Sequence, residues 1–98
     1  MKAVFFVPSE NFSKVKNAIY GDNLISRQTI NFRESRALGF EKDGYYLEID
    51  GSGEAIKHTK ELLGDMGKEV DEKEKEKILK KISEQEESAA EGFGSIFG

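Results

Sequence analysis

The feature that most constrains the fold of this chain is the uneven distribution of its apolar and charged residues. Of the 98 residues, 37% are hydrophobic and 35% are charged, but most of the large apolar side chains lie in the first two thirds and the last third is rich in Lys and Glu. A chain of this length forms one domain at most. We therefore predict an α/β core domain over residues 1–70, a charged helix over residues 71–90 and a flexible Gly/Phe tail over residues 91–98.

Composition excludes several classes of function. The 19 acidic and 15 basic residues give a net charge of -4, which disfavours nucleic acid as a partner. The chain has no cysteine, which excludes disulfides, thiolate metal sites, iron–sulfur clusters and thiol nucleophiles. The apolar run Ala3–Val7 is too short for a secretion signal or a membrane span. We expect a cytoplasmic protein that binds no membrane and no cofactor.

The first elements are a strand and a helix. Ala3–Val7 is rich in β-branched and aromatic residues and precedes Pro8, which is typical of a buried strand. Ser9 is a candidate N-cap for the helix that follows, and Gly21 is suited to its C-terminus. One face of that helix carries the apolar residues Phe12, Val15, Ala18 and Ile19.

Two further segments read as strands. Gln28–Arg33 alternates polar and apolar residues. Asp43-Gly44 suits a two-residue hairpin turn, and the strands on either side of it would then place Phe40 opposite Leu47. The other face of the sheet would then be polar, which argues against its burial in a large apolar interface. That face carries Thr29, Asn31, Arg33, Glu41, Tyr46 and Glu48.

The second half of the chain contains two helix patterns. Apolar residues recur with helical spacing from Ala55 to Met66, and Lys68–Val70 is a candidate for a short last strand. Asp71 and Glu74 resemble a capping box at the start of the charged helix. Its sizeable apolar residues are Ile78, Leu79 and Ile82. So narrow a stripe leaves three alternatives: the helix packs lightly on the domain, pairs with another copy, or projects into water.

The order strand, helix, strand, strand, helix, with a possible closing strand, resembles the ferredoxin-like plait over residues 2–70. The resemblance implies an α+β fold in which two helices cover one face of an antiparallel sheet, with the charged helix added after it. This superfold hosts many unrelated functions, so it implies no activity.

One segment looks a little like the strand motif of RNA-recognition modules, which share this plait. Arg36–Phe40 has a basic residue, a glycine and an aromatic residue in the motif's order. Ala37 and Leu38 depart from the motif, however, and Glu41 stands where the family buries an apolar residue. With the acidic net charge, RNA binding is the less favoured reading, and a core strand is the plainer one.

Gly51-Ser52-Gly53 lies between a predicted strand and a predicted helix, which is the layout of a phosphate-binding turn. The third glycine of a dinucleotide fingerprint is replaced by Ile56, and no Gly-Lys-Ser/Thr motif follows. A tight strand-to-helix turn gives the same pattern. We keep these three residues as the candidate ligand-binding site.

His58 is the single histidine, with Glu54 and Glu61 on the same side of its helix. The apolar face of the helix lies elsewhere, so we expect His58 to point to solvent. We predict neither a metal site nor catalytic residues, and we favour a non-enzymatic protein.

The C-terminal tail carries aromatic residues among glycines behind an acidic segment. Phe93, Ile96 and Phe97 are therefore candidate contacts for a protein partner or a second copy. The tail could equally fold back onto its own sheet or stay disordered. We favour a protein-interaction module, self-association included, that uses the C-terminal helix and tail, over a small-ligand or phosphate-binding domain that uses the Gly51–Gly53 turn.

Overall fold

A computed structural model describes the backbone of residues 1–97 and the side chains of residues 1–86. Within that range the chain forms four strands and three helices, joined in places by short 3-10 turns. In chain order they are β1 (Lys2–Pro8), α1 (Phe12–Gly21), β2 (Thr29–Glu34), β3 (Gly44–Asp50), α2 (Gly53–Leu63), β4 (Lys68–Glu69) and α3 (Glu72–Phe97).

The four strands form one antiparallel sheet in the order β2-β3-β1-β4. This order and pairing are those of the ferredoxin-like plait, in which each helix connects two strands that flank a third. The α+β fold class predicted from the sequence is confirmed. The short strand predicted after α2 also forms, where Lys68 and Glu69 pair with β1.

The larger core lies between one face of the sheet and the two helices α1 and α2. Val15 and Ile19 point inward from α1, as their spacing predicts. Ser52 caps α2, because its Oγ accepts a hydrogen bond from Ala55 N at 3.1 Å. Ser9 does not cap α1: its hydroxyl donates instead to Asp43 Oδ1 at 2.7 Å.

Helix α3 covers the second face of the sheet, which decides among the three alternatives for that helix. Ile78 and Ile82 are buried at 0% and 4% exposure against a smaller core that contains Tyr46. Asp71 Oδ1 accepts from Glu74 N at 2.8 Å, as a capping residue does. The polarity of this face argued against its burial, but two of its residues, Tyr46 and Glu48, are buried. Ile78 and Ile82 lie one turn apart on the same side of the helix, and Leu79 packs partly buried beside them.

The predicted hairpin at Asp43-Gly44 was also wrong. Strand β3 begins at Gly44 and pairs with β2, so that Phe32 and not Phe40 lies opposite Leu47. Residues 35–43 form the connection, with a 3-10 turn at Arg36–Leu38 that buries Leu38. Either pairing places the apolar side chains of β3 opposite apolar side chains of its partner. The regular alternation of polar and apolar residues in β2 prevails over the local preference of Asp43-Gly44 for a turn.

The glycine of that dipeptide is required for a different reason. A Cβ at Gly44 would lie 2.5 Å from Val7 O and 2.6 Å from the Phe6 ring. The residue therefore permits the close approach of β1 to the start of β3.

Candidate interaction surface

The outer edge of β2 carries backbone groups that no other described strand pairs with, because β2 is a terminal strand of the sheet. One hydrogen bond shows which residues of β2 direct their backbone groups to β3. Ser35, the residue after β2, donates from its N to Gly44 O at 2.9 Å and continues the β2–β3 register. Bonding alternates along an antiparallel ladder. The residues that direct their N–H and C=O groups to the open edge are therefore Ile30, Phe32 and Glu34.

Four aromatic side chains lie beside this edge, and we call them the aromatic cluster: Phe12, Tyr20, Phe32 and Tyr45. Phe12 stacks on Tyr45 with ring centroids 3.8 Å apart and meets Phe32 edge to face at 5.4 Å. Tyr20 lies 6.2 Å from Phe32 and is 49% exposed. The cluster thus extends the core outward to the open strand and ends in an exposed tyrosine.

Helix α1 builds the cluster through its periodicity. Phe12, Lys16 and Tyr20 are spaced four residues apart, so they follow one side of the helix. Lys16 Nζ lies 5.8 Å from the centre of the Phe12 ring, where a cation is attracted by the ring face. Sequence reasoning missed this surface, although the spacing of these three residues was the available signal.

A second feature is the contact between the N-terminal end of α3 and the sheet. Glu74 Oε1 accepts hydrogen bonds from Lys42 Nζ at 3.0 Å and from Tyr46 OH at 3.2 Å. Lys42 Nζ also lies 5.1 Å from the centre of the Phe6 ring. These residues, except Tyr46, line a depression of about 350 Å³ together with Val70. No local pattern predicts this cluster, because its members are up to 68 residues apart in the chain, from Phe6 to Glu74.

The ionisable groups of this contact shift one another's pKa. Burial raises the pKa of Tyr46, and the negative charge of Glu74 raises it further. The hydrogen bond to Glu74 raises the pKa of Lys42. Tyr46 therefore stays a neutral phenol whose O–H donates a hydrogen bond to Glu74 Oε1, while Lys42 stays charged. The cluster acts as a polar clamp on the start of α3.

The Gly51-Ser52-Gly53 turn lies where the sequence placed it, between β3 and α2, but most of its amides are already occupied. Gly51 N donates to Met1 O at 2.8 Å, and Ser52 N donates to Gln28 Oε1 at 3.4 Å. In the first turn of α2, the amides of Ala55 and Ile56 donate to the Oγ and the carbonyl oxygen of Ser52. An anion that bound to Gly51 N or Ser52 N would have to displace these bonds.

His58 does not point freely to solvent as expected. Its Nε2 lies 2.6 Å from Asp22 Oδ2, and the ring is 39% exposed. Asp22 Oδ1 accepts from the amides of Leu24 and Ile25, and the Ile25 bond, followed by the bond to His58, lowers the pKa of Asp22. The pair ties the end of α1 to α2. No group of three His, Asp or Glu side chains in the described residues is arranged to hold a metal ion.

Two other predicted sites have different outcomes. Arg36–Leu38 forms a 3-10 turn, so the strand that resembled an RNA-recognition motif does not exist. Gly39 ends this turn in the left-handed conformation, with φ 91°, which explains why a glycine stands before Phe40. The side chains of Phe93, Ile96 and Phe97 lie outside the described residues, and their role stays a prediction, as does the flexible tail over residues 91–98.

None of the helices, as far as the structure describes them, is both long enough and apolar enough to cross a membrane. Comparisons of the chain with known protein families, with curated proteins and with solved structures found no match.

Proposed function

We propose that this chain is a non-enzymatic protein-interaction module that binds a protein partner along the open edge of β2. The observation that carries the proposal is the coincidence of the unpaired edge with the aromatic cluster, whose Tyr20 is 49% exposed. An edge strand offers a row of hydrogen-bonding groups to an extended partner strand, and aromatic side chains beside it supply the apolar contact. The cytoplasmic location inferred from the cysteine-free composition is part of this proposal.

The sequence-based proposal for the C-terminal tail stands beside it. Ile78 and Ile82 of α3 pack on the domain itself and are not free for a partner. A docking role in that part of the chain therefore falls to Phe93, Ile96 and Phe97. Deletion of residues 92–98 is expected to weaken association and leave the fold intact. Unchanged association after the deletion would remove the tail from the proposal and leave the β2 edge.

The alternative function, binding of a small phosphate-containing ligand at Gly51–Gly53, has less support. The partners already held by Gly51 N and Ser52 N leave few free donors at that turn. The alternative predicts amide shifts at these residues when inorganic phosphate or nucleotides are added. A flat NMR titration would rule it out.

Photo-crosslinking tests the proposed surface directly. A photoreactive phenylalanine analogue replaces Tyr20 in the full chain, and the matched control carries the analogue at Lys60, whose side chain is 54% exposed and pairs with Glu69 beside the opposite sheet edge. We expect covalent adducts with protein from position 20 and few from position 60. Equal yields from the two positions would contradict the proposed surface.

A further inference from the structure

We infer that the partner of β2 is β2 of a second copy of this chain, paired in an antiparallel ladder around a two-fold axis that passes beside Asn31. This inference rests on the proposed function and names the occupant of the same edge. The pairing joins the two sheets into one continuous sheet, with α1 and α2 of both copies on the same face.

The position of the axis follows from the residues that would face each other. Residues opposite each other in an antiparallel ladder point to the same face of the sheet. The two-fold axis therefore passes beside one residue, which lies opposite the same residue of the second copy, and this choice determines every other pair. An axis beside Arg33 would oppose two guanidinium groups, and an axis beside Phe32 would oppose Glu34 to the apolar Ile30 of the second copy. An axis beside Asn31 places Ile30 and Phe32 of each copy opposite Phe32 and Ile30 of the other.

These two apolar pairs coincide with the available hydrogen bonds. Ile30 and Phe32 direct their N–H and C=O groups to the open edge, so each pair exchanges two bonds across the axis. An aromatic ring opposite a β-branched side chain is a stabilising cross-strand pair. Tyr20, 6.2 Å from Phe32 and half exposed, lies over the same face and adds contact area from α1.

The other face of the ladder brings opposite charges together. Arg33 of the second copy would lie opposite Thr29, and Thr29 is itself paired with Asp50 of β3. The Asp50 side chain is 45% exposed and lies 3.7 Å from the terminal amine, while Arg33 is 33% exposed and 3.4 Å from Glu86. An arginine side chain spans one interstrand spacing. The axis thus places a cation of one copy near an anion of the other at both ends of the ladder.

The test introduces single cysteines into the cysteine-free full chain. Asn31 bonds to β3, so across the axis it forms a non-hydrogen-bonded pair with Cα atoms about 4.5 Å apart, and a disulfide bridges Cα separations of roughly 4.4–6.8 Å. Arg33→Cys is the matched control, because it lies on the same face and edge but two residues from the axis. In a glutathione redox buffer we expect roughly tenfold more disulfide-linked dimer from Asn31→Cys than from Arg33→Cys. Equal yields, a larger yield from Arg33→Cys, or no dimer from a folded Asn31→Cys would overturn the inference.

A second measurement needs no substitution. Asn31 donates to Glu48 at 3.1 Å, and Glu48 is 8% exposed, so the cysteine variant can lose stability. In the unchanged chain, hydrogen exchange of the Ile30 and Phe32 amides should slow as protein concentration rises, in proportion to the dimer fraction. Exchange that is independent of concentration at both amides would refute the second copy as partner.

The two proposals fail in different ways. Adducts from position 20 to a different protein, together with a monomeric Asn31→Cys variant, would refute the second copy and leave the proposed function standing. Adducts from position 20 that do not exceed those from position 60 would refute both.

Discussion

Replacement of Ile78 by alanine tests whether α3 belongs to the folded domain. Ile78 is fully buried between α3 and the second face of the sheet, and it packs in a small core with Val4, Leu38, Tyr46 and Ile82. Few other apolar side chains attach this helix. The substitution therefore removes a large share of the apolar contact that holds α3 to the sheet.

The magnitude follows from its burial. Truncating a fully buried isoleucine to alanine costs about 2–5 kcal/mol, because the lost transfer free energy adds to the cavity left behind. The free energy of unfolding of a domain this size is roughly 5–15 kcal/mol. We expect the thermal midpoint to fall by on the order of 10–30 °C if α3 unfolds together with the domain.

The assay is urea unfolding followed by circular dichroism, combined with amide exchange along α3. Lys80→Ala is the matched control, since Lys80 lies on the exposed side of the same helix and alanine favours helix. Ile19→Ala is the comparison in the larger core, where Ile19 is also fully buried. An Ile78→Ala variant as stable as Lys80→Ala, with unchanged amide exchange in α3, would refute the docking of α3 on the sheet.

Three further predictions concern the polar clamp, the Asp22 pair and the close approach of two strands. Glu74→Gln removes a negative charge beside Tyr46, so the pKa of Tyr46 should fall towards its ordinary value while remaining raised by burial; ultraviolet titration of the phenol checks this, and an unchanged pKa would contradict it. The pKa of Asp22 is lowered in the folded state, so the ionised side chain stabilises the fold above the ordinary value of 3.8, and this contribution is lost as pH falls through the lowered value. The urea midpoint of the wild type should therefore drop in that acidic range. The midpoint of Asp22→Asn should drop less. Gly44→Ala should lower the free energy of unfolding by about 1–3 kcal/mol because the added Cβ meets backbone and ring atoms of β1. The control is Gly21→Ala, whose Cβ meets nothing within 4 Å and which should be neutral or stabilising. Equal stability of the two variants in urea unfolding would contradict the close contact at Gly44.

Local patterns predicted most elements of this fold. The strand at Ala3–Val7, the inward side chains of α1 and the Asp71 cap each depend on residues within a few positions of one another. Such features are fixed by backbone sterics and side-chain spacing, which act locally.

Pairing across the chain was harder to predict. The alternating residues of β3 can pair with β2 or with residues 38–42. The pairing that forms places Phe32 opposite Leu47, and Leu38 is then buried under α3. The polarity of Glu48 suggested a wet face, but Asn31 supplies a hydrogen bond that makes its burial tolerable.

The candidate surface depended on the same choice. Once β2 and not residues 38–42 is assigned as the partner of β3, the open edge and the aromatic cluster beside it follow. The contact between Asp22 and His58 joins residues 36 positions apart, and no local pattern indicates it.

The central place of β1 in the sheet has a consequence for synthesis. This strand is synthesised before both of its neighbours, β3 and β4, which begin at Gly44 and Lys68. At a translation rate of 5–20 residues per second, about 40 residues separate β1 from β3, so the apolar run Ala3–Val7 is without a pairing strand for roughly 2–8 s. During that interval it is a short, β-prone and uncharged segment of the kind that aggregates or binds chaperones. Translation is therefore a stage at which the unpaired β1 segment is exposed to misassembly.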